Sequence, residues 1–203
     1  MRTDVTAVIP TIAPRMRTSL PKALQSVIMQ THPVTAISIA VDTERRGAWH
    51  TRGRALENAH TEWVAFLDDD DHWYPQHLAR LLWKAEETGA DYVYSYFDLG
   101  VNCAGREGGY DPLGNFGKEF DPANPHHTTM NVMVKTELAQ AVGFTPPEDG
   151  DLVGNEDWRF IIGCVEAGAK IVHLPERTWS YNCYGSTSGL PERVNWDREM
   201  PAR

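Results

Sequence analysis

Trp63-Val64-Ala65-Phe66-Leu67-Asp68-Asp69-Asp70-Asp71-His72-Trp73-Tyr74-Pro75 joins an apolar run to four consecutive carboxylates and then to an aromatic-Pro segment. The apolar run has the length and composition of a buried strand, and Pro75 suits the start of a helix. Four neighbouring carboxylates repel one another, and desolvation at the end of a buried strand makes that worse. The cluster becomes favourable when a cation and its charged ligand share the site. Hard divalent ions such as Mg²⁺ or Mn²⁺ take oxygen ligands, often one or two carboxylates together with substrate phosphates. The stretch therefore points to a metal-diphosphate site. The competing reading is a solvated acidic turn, the usual fate of a charge run. The strand in front and the helix start behind weigh against it.

Apolar and amphipathic segments alternate on either side. Val5 to Ile9 reads as a buried strand. Leu20, Ala23, Leu24, Val27 and Ile28 then recur at helical spacing, with Ser19 as N-cap and Pro21 near the first turn. Thr35 to Val41 is a second strand ending at Asp42, and a polar stretch leads to a helix around Arg52 to His60. After the strand Trp63 to Leu67, residues Leu78, Leu81, Leu82 and Ala85 mark a helix closed by Gly89. Tyr92 to Tyr96 is the fourth strand. A short strand near Asn131 to Val134, a helix near Thr136 to Val142, a helix opening after Glu156-Asp157 and a strand Lys170 to Leu174 complete the pattern. This order predicts an α/β fold, a single Rossmann-like, mostly parallel sheet flanked by helices. Ligands of such sheets bind beyond the carboxyl ends of the strands, where Asp42 and Asp68 to Asp71 both fall. Gly100 to Pro125, rich in Gly, Pro, Asn and Asp without periodicity, reads as a lid or binding loop.

At 203 residues and 22.8 kDa the chain fits one domain with a substantial core. Its net charge of −9 counts against nonspecific nucleic-acid binding, which relies on basic patches. No apolar stretch approaches the roughly 18–20 residues that span a bilayer, and the amino terminus lacks the pattern of a secretory signal. Cys103, Cys164 and Cys183 form neither a metal motif nor a disulfide framework, so the expected compartment is cytoplasmic.

Five places in register resemble the family 2 glycosyltransferases of GT-A fold: Val8-Ile9-Pro10-Thr11, Leu20 to His32, Asp42, Phe66 to Asp71 with Pro75, and Glu156-Asp157-Trp158 with the strand Ile171 to Glu176. The resemblance runs from Val5 to about Gly189. It implies a GT-A domain over 1–203, with 1–98 as the nucleotide-sugar-binding half and 99–203 as the acceptor and catalytic half. It further implies a D-x-D motif, a Mn²⁺ or Mg²⁺ cofactor and a nucleotide diphosphate sugar donor, with UDP-sugar favoured. On the resemblance, Pro10, Thr11, Asp42, Arg52, Asp68 and Asp69 are donor-binding candidates, and Asp42 contacts the base. Asp70 is the candidate metal ligand, from its spacing to Pro75, and Asp71 either joins the site or caps the following helix. Asp157 is the candidate general base, with Glu156 as the alternative. His126, His127 and Trp158 are acceptor-side candidates; Trp49, Trp73, Trp158 and Trp179 read mostly as core residues, though Trp49 and Trp73 flank the expected crevice. Two departures stand out. Thr51-Arg52-Gly53 replaces the family's usual Ala-Arg-Asn, and Cys183 falls where many members carry a histidine.

The resulting expectation is a metal-dependent inverting hexosyltransferase acting on an acceptor hydroxyl of a glycan, a protein or a hydroxymethylated pyrimidine of DNA, as in compact enzymes of bacteria and phages. A nucleotidyltransferase is the rival enzyme class, but Pro10 to Arg15 contains no glycine to cradle phosphates. A non-catalytic nucleotide- or sugar-binding module is the third possibility, and it has no need of Glu156-Asp157.

Overall fold

The computed structural model describes residues 3–100, 111, 114–125, 130–146 and 156–182. Among these residues seven strands form one sheet: β1 (Val5–Thr11), β2 (Ala36–Val41), β3 (Trp63–Phe66), β4 (His72–Trp73), β5 (Tyr92–Leu99), β6 (Val132–Lys135) and β7 (Ile171–Tyr181). Their order across the sheet is β2-β1-β3-β6-β5-β7-β4. β1 pairs parallel with β2 and β3, and β5 parallel with β7, whereas β6 and β4 pair antiparallel with their neighbours. Five strands thus share one direction. The helices are α1 (Leu20–Ile28), α2 (Ala48–Leu56), α3 (His77–Thr88), α4 (Thr136–Val142) and α5 (Glu156–Glu166), with a short 3₁₀ turn at Ala13–Arg17. One apolar layer joins the sheet to α1 and α3 through Ala23, Val27, Leu78 and Leu81. The other joins it to α2, α4 and α5 through Ala55, Leu56, Ala139, Phe160 and Ile161. β1 is buried along its whole length, as a strand covered on both faces must be.

The first register pairs Thr11 with Val41 and Val8 with Phe66, so β1, β2 and β3 end at one edge. Thr11, Asp42 and Asp68 meet there. The Gln30-Thr31 pair after α1 explains why that helix ends where it does. Gln30 is buried, donates through Nε2 to the Tyr74 carbonyl at 2.8 Å and accepts the Leu78 N–H at 3.0 Å. Thr31 N–H donates to the Pro75 carbonyl. A side chain just past α1 thereby satisfies an orphan donor in the first turn of α3.

Several boundaries differ from the sequence expectation. α2 begins at Ala48 rather than Arg52 and ends before His60. The Asp42 carboxylate accepts the Arg46 N–H at 3.0 Å and the Gly47 N–H at 2.9 Å, and Gly47 takes a positive φ of 92°. That turn starts the helix early with no capping side chain to mark it. His72-Trp73 is an edge strand on Trp179-Ser180, not the approach to a helix. β7 runs on to Tyr181 past Pro175, which sits where the pairing with β5 slips between Ser95 and Tyr96. A bulge is where a sheet tolerates a proline. Ser19 flanks α1 but makes no capping bond.

Asp71 does not cap α3, whose N-cap is Gln76. It is 2% exposed, accepting Asn131 Nδ2 at 2.8 Å and the Asn182 N–H at 2.8 Å. The carboxyl ties the turn after β3 to the entry of β6 and the exit of β7. Asp71→Ala strands two buried donors, and the expected loss is about 2–4 kcal/mol of unfolding free energy. Denaturant unfolding measures it, and an unchanged midpoint would contradict this role.

Candidate functional site

The four aspartates alternate in burial through a turn closed by the Asp71 N–H, which donates to the Asp68 carbonyl at 3.1 Å. Asp69 and Asp71 point inward and are buried, while Asp68 and Asp70 are partly open to the crevice. Asp69 is consumed by the protein. Its Oδ2 accepts Thr11 Oγ1 at 2.5 Å, and its Oδ1 accepts an Arg15 N–H at 2.6 Å. Arg15 also pairs with Asp70 Oδ2 at 2.8 Å. Arg52 lies on the inner face of α2 and is 4% exposed. One of its nitrogens meets Asp68 Oδ1 at 2.7 Å and another meets Glu156 Oε1 at 2.9 Å. The Phe144 ring packs against this guanidinium at 5.9 Å and stacks on Phe160 of α5 at 4.7 Å.

The Arg52 bridge brings the strand-end carboxylates and the first turn of α5 to one crevice. Glu156 and Asp157 open that helix, where the backbone dipole favours acids. Burial works against the charge on Arg52, but Asp68, Glu156 and Asp157 outweigh it and hold the guanidinium firmly protonated. The carboxylates shift the other way. Burial pushes Asp70 up to about 7, with Asp68 and Asp69 adding to the shift and Arg15 opposing it. Burial and the neighbouring Glu156 hold Asp157 well above the usual carboxylate range, against the pull of Arg52. Burial, Asp70 and Asp68 do the same to Asp71. Two arginines thus leave this cluster under-neutralised.

Among the described residues no group of three or more His, Cys, Asp or Glu side chains converges to hold a cation unaided. The donor set nevertheless suits a hard ion. Asp70 and Asp68 offer carboxylate oxygens at the mouth, a number fitting Mg²⁺ or Mn²⁺ when substrate phosphates fill the remaining positions.

Not every expected residue lies as the sequence suggested. Pro10 is buried inside β1, opposite Ala40. Trp73 is 3% exposed, stacks on His77 at 4.8 Å and bonds Asn131, so it is a core residue with no face for a ligand. Trp49 sits on α2 just past the Asp42 turn, with the Arg46 guanidinium 5.3 Å from its ring. Trp158 follows Asp157 in α5, half-buried. His126, His127 and Cys183 lie outside the described residues, as does much of Gly100 to Pro125. Of that stretch, Asp111 accepts the Asn115 and Phe116 N–H groups and the Tyr96 hydroxyl, and Gly117 N–H donates to His173. This part docks on β5 and β7. A cleft of about 520 Å³ between α4 and α5 is lined by Val142, Gly143, Arg159 and Gly163, and by none of the strand-end carboxylates. Arg15 was not foreseen: it follows Pro14 in a segment without helical or strand periodicity.

Residues 36–100 match the family model described as Glycosyl transferase family 2. Among solved structures, S. aureus TarS 1-349 in complex with UDP-GlcNAc superposes with a TM-score of 0.72 at 18% identity, covering 91% of this chain and 60% of that one. The same protein in complex with UDP gives 0.68 at 18% identity, covering 89% and 60%. S. aureus TarS gives 0.68 over 89% of this chain and 37% of that one, so the chain spans less than two thirds of each of these structures. No curated protein matches. The architecture is the GT-A fold, a sheet with most strands running one way between two helical layers. No helix among the described residues is long and apolar enough to cross a membrane.

Asp70 has an ordinary value of 3.8 and is raised to about 7 by folding, so the folded state holds its proton more tightly. The stability this provides is complete below about pH 4 and is lost as pH rises through about 7. Metal-free protein is therefore expected to melt at a lower temperature near pH 8 than near pH 5 on account of this group. Asp70→Asn, which cannot ionise, narrows that gap. Thermal melts of both proteins at the two pH values check it, and an equal drop in both would contradict it.

Proposed function

We propose that the chain, whose residues 36–100 match the glycosyl transferase family 2 model, moves a sugar from a nucleotide diphosphate donor, a UDP-sugar, to an acceptor hydroxyl with inversion. The observation that carries this reading is the Arg52 bridge between Asp68 and Glu156, which joins an acidic strand end to an acidic helix start. Single displacement of a diphosphate needs these two acidic centres across one crevice, one beside the leaving group and one beside the nucleophile. The S. aureus TarS structures that share the fold hold UDP-GlcNAc and UDP, which supports a uridine donor.

On this reading residues 1–98 bind the donor and residues 99–203 carry the acceptor side and the base. The base of the nucleotide lies against the Asp42 turn, with Trp49 offering a ring face. The carbonyl end of β1 at Pro10 and Thr11 forms the floor, where Thr11 fixes Asp69 through its hydroxyl. Asp70, with Asp68, would hold a Mn²⁺ or Mg²⁺ ion, whose charge would offset that of the departing diphosphate. Arg52 acts as a clamp that sets Asp68 and Glu156 rather than as a direct phosphate contact, since its two terminal nitrogens are already engaged.

Asp157 takes the proton from the acceptor hydroxyl as its oxygen attacks the anomeric carbon. The sugar–phosphate bond breaks on the opposite face, and the nucleoside diphosphate leaves with the electron pair. An Asp held above the ordinary carboxylate range by burial is a stronger base than an exposed one and suits proton removal near neutral pH. α5 anchors it through Phe160, Ile161 and Cys164, all buried. Rigid support of this kind is what a positioned base requires. Glu156, held by Arg52, keeps the first turn of α5 in register with the strand end. Trp158 lies on the acceptor side, and His126 and His127 are proposed to belong there as well.

Release of UDP from a panel of UDP-sugars, with and without a candidate acceptor, tests this function. Asp157→Asn is expected to leave UDP affinity in Mn²⁺ nearly unchanged and to cut turnover by about 10²–10⁴-fold. Asp70→Ala is expected to lose metal-dependent UDP binding as well. Glu156→Gln inactive beside a fully active Asp157→Asn would move the base to Glu156. Full activity in both would reject the mechanism.

A further inference from the structure

Arg15 pairs with two carboxylates, Asp70 of the candidate metal site and its structural neighbour Asp69. Its guanidinium spans Asp69 Oδ1 at 2.6 Å and Asp70 Oδ2 at 2.8 Å, with its side chain 18% exposed. It stands where a divalent ion would approach Asp70 and carries the charge that the ion would bring. We propose that Arg15 is a built-in counter-cation, which occupies the Asp70 carboxylate until metal and nucleotide arrive and then turns to the donor diphosphate. The inference rests on the glycosyltransferase reading and deepens it by naming a residue that couples metal entry to diphosphate capture.

Three features of the chain support it. The 3₁₀ turn that carries Arg15, Ala13–Arg17, contains no buried residue. The guanidinium can therefore swing without disturbing the core. By contrast Arg52 is locked inside α2, with little of it exposed. The turn also follows directly on β1, whose last residue Thr11 independently holds Asp69. Asp69 stays in place when the arginine leaves, so departure uncovers Asp70 without collapsing the cluster. Finally, a guanidinium and a divalent ion on one carboxylate repel each other, whereas the planar fork of an arginine matches two phosphate oxygens. The same side chain thus opposes the bare ion and favours the ion that arrives with a diphosphate.

The two roles predict effects of opposite sign, which a merely structural arginine would not give. Arg15→Gln keeps a similar reach and removes the charge. Titrated with Mn²⁺ alone and followed by water-proton relaxation, it is expected to bind the ion about tenfold more tightly than the unmodified protein. Titrated calorimetrically with UDP at saturating Mn²⁺, it is expected to bind about tenfold more weakly. Arg15→Lys, which retains the charge without the fork, is expected to bind Mn²⁺ like the unmodified protein and UDP more weakly. Arg15→Gln affinities that both fall, both rise or both stay unchanged overturn the proposal while leaving the transferase reading intact, provided the unmodified protein binds UDP with Mn²⁺. An unmodified protein that binds neither ligand overturns both.

Discussion

A guanidinium enclosed as tightly as that of Arg52 is tolerated only with carboxylates against it, and its two partners come from opposite ends of the fold. Asp68 lies just beyond β3, and Glu156 opens α5. Breaking a buried pair of this kind by removing one member costs about 3–5 kcal/mol, because the remaining charge has nowhere to go. Much of the architecture is arranged around that requirement. α2 must start early enough to place Arg52 on its inner face, and the Asp42 turn makes it do so. β6 must run antiparallel between β3 and β5 so that α4 and α5 fall on the same side as α2. Phe144, stacked on Phe160, then packs against the guanidinium and limits the water that would otherwise screen the pair.

The four-aspartate run divides its labour by simple alternation. The inward pair is structural: Asp69 is held by Thr11 and Arg15, and Asp71 by Asn131 and Asn182. The outward pair, Asp68 and Asp70, faces the crevice. Both belong to the turn in which the Asp71 N–H donates to the Asp68 carbonyl at 3.1 Å. The intervening and following aspartates are needed to hold the turn that presents them. Burial raises the titration of Asp70, and the neighbouring Asp68 and Asp69 add to the shift against the single arginine that opposes it.

Periodicity was enough to place most elements. The α1 bounds, α4 and the Gly89 stop of α3 coincide with the pattern read from the residues, because burial on one face writes itself into spacing. Strand ends carrying Asp42 and Asp68 to Asp71 were legible for the same reason. What spacing could not show was decided by tertiary contacts. The start of α2 depends on a carboxylate binding two backbone N–H groups, and His72-Trp73 is a strand only because β7 extends to meet it. Trp73 read from sequence as a core residue that also flanked the crevice, and it faces His77 in the core. Arg15 carried no signal at all, because a single arginine in an aperiodic turn is distinguished only by what it reaches.

The central claim is that the alternating strand-end carboxylates form a seat for a divalent ion and a nucleoside diphosphate. Crystals of the protein grown with UDP and Mn²⁺, with diffraction collected at a wavelength where manganese scatters anomalously, test this most directly. The account predicts one anomalous peak at coordination distance from the Asp70 carboxylate and bridged to the diphosphate oxygens. UDP seated in the crevice with no anomalous peak near Asp70, or with the peak elsewhere on the molecule, would contradict it.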